Sequence, residues 1–150
     1  MPNIEIIVDG VQCPSADPRL PDAKVLGIVR DAEAAVAVDI LPELVDPQPL
    51  IDLIPAELPV RSILRFAGSC QESRCAHFGA GKCGLATRVV AQMPEVVDRI
   101  ARCAIRPRCR WWRQEGIAAC RRCPQVLTEP LAPTDLMVSV ATPSTSGASA

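Results

Sequence analysis

Large aromatic side chains are nearly absent from this chain: it has no Tyr, two Phe and two Trp, so aromatics make up 3% of its 150 residues. A core built without them is short of its largest packing groups, and metal cross-links are one common remedy. Histidine is scarcer still. His77 stands alone, which excludes a two-histidine Rieske set and makes any imidazole chemistry depend on one ring. No apolar run approaches the roughly 18 residues of a membrane span, so no membrane partner is expected. The opening MPNIEIIVDG lacks the basic start, apolar stretch and small-residue site of a signal peptide, and a cytoplasmic location is expected. Gly-rich phosphate loops, His-based zinc-protease motifs and nucleophile elbows are also missing. The chain is therefore not expected to be an enzyme on its own, and no residue is assigned a catalytic role.

What the chain does have is proline, cysteine and a divided charge. Fifteen prolines against eight glycines point to turns and extended stretches and to few long helices. Residues 1–60 carry 11 acids against three bases, and residues 61–123 carry 13 bases against four acids, within a net charge of −1. The two halves can lean on each other, or each can face a partner of opposite charge. The pattern divides the chain into an acidic strand and hairpin region at 1–60, a basic cysteine-rich module at 61–126, and a disordered tail at 127–150.

Within the first region, Asn3–Val8 (NIEIIV) reads as a strand ending at Asp9-Gly10. Lys24–Arg30 and Ala35–Ile40 read as a hairpin, while the alanines also allow a helix over 31–38. Prolines at 42, 47, 49, 55 and 59 then break up 41–60, leaving room for a short helix there and another over Val60–Phe66. Helical spacing runs through Leu85–Arg102, with Pro94 dividing it, and Arg110–Cys120 is a short helix containing Gly116. The expected fold class is a small, irregular α+β protein, with N-terminal strands followed by a metal-stabilised, mainly helical half.

Seven of the eight cysteines fall within 54 residues, as Cys70-x4-Cys75-x7-Cys83-x19-Cys103-x5-Cys109-x10-Cys120-x2-Cys123, and His77 lies inside the first group. In a reducing compartment such clustering points to metal rather than disulfides. Only Cys120-Arg-Arg-Cys123 has the Cys-x2–4-Cys form of a zinc knuckle, and the other spacings are irregular, as iron–sulfur ligands commonly are. Pro124 after the last cysteine resembles the Cys-Pro that closes bacterial ferredoxin runs, a likeness of two residues. Seven arginines at 102, 106, 108, 110, 113, 121 and 122 would offset the charge of an anionic cluster. The Cys-x3-Cys-x2-Cys run of radical-SAM enzymes does not occur, Cys-x-x-Cys-His fails at Pro124, and the ferredoxin Cys-x2-Cys-x2-Cys is missing.

These residues lead to an expected iron–sulfur protein with one or two [4Fe–4S] clusters. It would serve as electron carrier, redox sensor or accessory subunit for a partner enzyme. Cys103, Cys109, Cys120 and Cys123 would hold one cluster. Cys70, Cys75 and Cys83, with His77 or an exogenous ligand, would form a second site, and Cys13 is left as a core residue or spare thiol. The alternative is a zinc-stabilised module that binds protein or nucleic acid, the arginines and Trp111–Trp112 offering phosphate and base contacts. A thioredoxin-like dithiol at Cys120–Cys123 is a further alternative.

Overall fold

A computed structural model describes residues 10–143; the strand expected at Asn3–Val8 lies outside them. The hairpin forms as an antiparallel pair, β2 (Lys24–Val29) and β3 (Val38–Val45), and β3 runs on through Pro42 because an edge strand can spare one backbone donor. A short β1 (Gln12–Cys13) and β4 (Leu64–Ser69) complete a sheet of order β1-β4-β2-β3, antiparallel throughout. The helix expected over Val60–Phe66 is not formed. Val60–Ser62 makes one 3₁₀ turn and the chain then enters β4, where tertiary pairing on both sides overrides a local preference. The charge boundary at 60/61 thus falls within a stretch that serves one sheet.

β4 explains how two cores are kept apart. Successive strand side chains point to opposite faces. Leu64 and Phe66 join Val25 and Ala23 on one face, packed with Leu50 and Ile51 of α1 (Pro47–Ile51). Ala67 joins Leu26 on the other face, against Ile105, Trp111 and the helices of the cysteine-rich half. Arg65 lies between Leu64 and Phe66, so alternation sends it to that same side.

Five α-helices are formed among the described residues, all short. α2 (Gly84–Gln92) buries Ala86 and Val89 and stops at Met93, before Pro94, as a proline's steric demand on its predecessor requires. The single helix expected over Arg110–Cys120 is two, α3 (Arg110–Glu115) and α4 (Ile117–Cys120), parted by Gly116 at φ 69°, ψ −149°, a conformation open essentially to glycine alone. Asp135–Ala141, inside the stretch expected to be disordered, is α5; Thr134 caps it, and Val140 is buried. Arg88 of α2 donates to the Val140 carbonyl at 2.6 Å, which ties α5 to the site region. No helix among the described residues is long and apolar enough to cross a membrane.

Candidate metal centre

Trp111 borders two cavities, and the eight cysteines divide between them. The first, about 440 Å³, is lined by Cys13, Cys70, Cys75 and Cys83. The second, about 30 Å³, is lined by Cys103, Cys109, Cys120 and Cys123. Trp111 lines both. None of the eight forms a disulfide.

The arrival of Cys13 in the first set is the main departure from the sequence-based grouping. Antiparallel pairing of β1 with β4 sets Gln12 against Ser69 and Cys13 against Gly68. The Cys70 amide then donates to the Val11 carbonyl at 3.0 Å, so two cysteines far apart in sequence meet at one strand end. Strand pairing leaves no mark on local spacing, and the one hint in the sequence is numerical: eight thiols make two sets of four.

His77 also borders the first cavity, but its ring is engaged elsewhere. Arg88 Nη2 lies 2.6 Å from Nδ1. A guanidinium can only donate, so Nδ1 accepts and the ring proton sits on Nε2. Burial, and then the Arg88 charge, push the His77 pKa below its ordinary value, keeping the ring neutral.

Backbone amides are aimed at sulfur in both sets. Ser15 N–H donates to Cys13 Sγ at 3.4 Å and Ala86 N–H to Cys83 Sγ at 3.4 Å, the latter as the N-cap of α2. The nearby amides of Ile105 at Cys103, and of Trp112 and Trp111 at Cys109, also favour the thiolate. Burial nevertheless dominates. It pushes the Cys13 and Cys109 thiols up to about 12, and it raises Cys83, Cys103 and Cys120 as well. Within each set neighbours add to the effect: Cys70 and Cys75 raise Cys13 and Cys83, while Cys123 raises Cys103, Cys109 and Cys120. A raised Cys120 is the opposite of what a thioredoxin-like nucleophile needs. Burial thus favours the neutral thiol at these five positions, and a bound cation is one way to offset the cost of the thiolate.

Cations converge on the same sulfurs. Arg106 lowers the Cys120 pKa against the effect of burial, and Arg110 lies in the field of Cys70 while pairing with Glu72 at 2.6 Å. Glu72 holds φ 47° in the turn between Cys70 and Cys75, a left-handed conformation that costs a non-glycine residue about 1–3 kcal/mol. Arg121 and Arg122, also expected beside a cluster, reach Glu95 at 3.7 and 3.6 Å.

Arg65, which the sequence reading passed over, is the most committed cation of all. It is 0% exposed. Nε and Nη2 donate to the Pro14 carbonyl at 3.2 and 2.9 Å, Nη1 to the Cys123 carbonyl at 2.6 Å, and Nη2 to Cys123 Sγ at 3.1 Å. Its guanidinium carbon lies 5.6 Å from the Trp111 ring centre. An arginine inside the apolar run Leu64–Ala67 was the available signal. The surroundings also hold buried donors with no hydrogen-bond partner: Trp111 Nε1, Arg106 Nε and Arg110 Nε.

Among the described residues, no three His, Cys, Asp or Glu side chains converge closely enough to hold a single metal ion. The thiols ring a space rather than a point. No protein-family model matches this chain, no curated protein matches it, and no solved structure matches its fold.

Proposed function

We propose that this chain is an iron–sulfur protein that holds two [4Fe–4S] clusters and exchanges electrons with a partner protein. The observation that carries the reading is the division of all eight cysteines into two sets of four around separate cavities. Cys13, Cys70, Cys75 and Cys83 would hold one cluster, and Cys103, Cys109, Cys120 and Cys123 the other. His77, held by Arg88, is left out of the ligand set.

Three physical arguments support a cluster over zinc. A tetrahedral zinc needs four sulfurs at about 2.3 Å from one point, whereas a four-iron core takes each thiolate on a different iron and spreads them apart. Sulfides of such a core are acceptors for donors that find none in the protein, Trp111 Nε1, Arg106 Nε and Arg110 Nε among them. A cluster with four thiolates is a net anion, which offsets the cost of burying Arg65. One observation favours a single ion at the second set: its cavity, about 30 Å³, is little more than the space of one or two waters. The arginine-rich half supplies the charge with which an acidic redox partner would be steered.

Anaerobic purification or reconstitution, followed by iron, sulfide and zinc analysis, tests the reading. The expected product is brown, bleaches with dithionite and carries about eight iron and eight sulfide per chain. A colourless protein with zinc and no sulfide would falsify it and return the zinc-module alternative.

A further inference from the structure

We propose that Arg65 sets the two sites apart in reduction potential, making the Cys103/Cys109/Cys120/Cys123 end the one that holds an electron. The inference rests on the iron–sulfur reading above and deepens it.

The argument begins with an asymmetry of charge. At the first set the cations are offset or held elsewhere. Arg61 pairs with Glu129 at 3.2 Å, Arg74 is exposed, and half-buried Arg88 is held by the Val140 carbonyl and His77 Nδ1. Arg110 shares its charge with the Glu72 carboxylate at 2.6 Å. Glu72 is itself 57% exposed, so solvent screens much of what remains. At the second set the cation is Arg65, fully buried, bonded to backbone carbonyls and to one sulfur. Its partners are dipoles and a thiol rather than a carboxylate, so its field reaches the second set through low-dielectric protein with little offset. Arg106 lines the same cavity and adds to the same side. A cation that favours the more negative oxidation state raises the potential of whatever those four sulfurs hold.

The two sets share a wall. Trp111, 1% exposed, lines both cavities. Gln12 makes a parallel bridge to Cys109 of the second set, and the next residue is Cys13 of the first. Arg65 spans this wall, with Pro14 on one side and Cys123 on the other. In the step this arrangement favours, one electron comes from an external low-potential one-electron donor, a reduced iron–sulfur or flavin protein. The donor is oxidised by one electron, and the second set gains one negative charge beside Arg65. No bond breaks and no proton moves.

The test uses the full chain, reconstituted without oxygen and titrated potentiometrically with electron paramagnetic resonance as the readout. Two one-electron steps of different potential are expected. The signal of the higher step should vanish in Cys120→Ser and persist in Cys13→Ser. Arg65→Met should lower that step alone, and Arg65→Lys, which keeps the charge, should lower it less. Two indistinguishable potentials in the wild type, or a higher step lost in Cys13→Ser instead, would overturn the role of Arg65 while leaving eight irons in place. The wild type and the two cysteine variants decide this even if Arg65→Met does not fold. A zinc protein without iron would overturn both this inference and the reading beneath it.

Discussion

Arg65 Nη2 lies 3.1 Å from Cys123 Sγ, and Nη1 of the same guanidinium lies 2.6 Å from the Cys123 carbonyl oxygen. A residue of the central strand thereby grips the last cysteine of the chain, and the sheet and the second thiol set become one structural unit. The same side chain also bonds the Pro14 carbonyl, next to Cys13. Both thiol sets are thus hung on β4, and their behaviour on mutation should reflect it.

Under the proposed reading Cys13 is a ligand and His77 is not, and their variants should separate cleanly. Cys13→Ser should lose about half of the bound iron, because one of two four-thiol sets is broken. His77→Ala should keep its iron and its visible spectrum, since Nδ1 is committed to Arg88. Iron retained in Cys13→Ser and lost in His77→Ala would restore the spacing-based assignment.

Removing the metal should loosen the cysteine-rich half. Its core cluster contains Cys83, Cys109 and Trp111 among its buried members, and metal binding energy becomes folding energy where ligands join separate elements. Chelation after oxidative destruction of the cluster should reduce the helical circular-dichroism signal and open residues 70–123 to limited proteolysis. An unchanged digestion pattern in the metal-free protein would show that packing alone holds this half.

Gly116→Ala should destabilise by about 1–3 kcal/mol for backbone reasons alone. An added Cβ meets nothing within 4 Å, so sterics with neighbours are not the cause; the cost comes from φ 69°, ψ −149°. Denaturant midpoints of wild type and variant, with equal slopes, measure it.

Arg122 and Arg121 adjoin in sequence and both reach Glu95, yet their truncations should differ. Arg122 Nε donates to the Met93 carbonyl and Nη1 to the Ala118 carbonyl, each at 2.8 Å, which joins the end of α2 to α4. Its replacement by Ala should cost about 2 kcal/mol, the scale of losing charged hydrogen bonds to half-buried carbonyls. Arg121→Ala gives up a half-exposed ion pair at 3.7 Å and should cost less than about 1 kcal/mol. Thermal melts of the two variants side by side decide between this ranking and equal losses.

Local patterns in the sequence determined a good part of this molecule. Alternation and turn residues placed the β2–β3 hairpin, Pro94 set the end of α2, and Gly116 parted α3 from α4. Spacing alone gathered seven cysteines into one stretch and grouped Cys103, Cys109, Cys120 and Cys123, which line one cavity, because each of those steps is a short-range property of the chain. Tertiary structure decided the rest. β4 displaced the helix expected at Val60–Phe66, since hydrogen bonds to β1 and β2 outweigh a weak local preference. The helix at Asp135–Ala141 owes its place to packing against α2, which a polar, proline-containing stretch does not announce. Cys13 reached Cys70 by strand pairing, and Arg65 reached Cys123 because its neighbours face the opposite core. Contacts between residues so far apart are set by register and by which face a side chain occupies, and neither is written in the residues on either side.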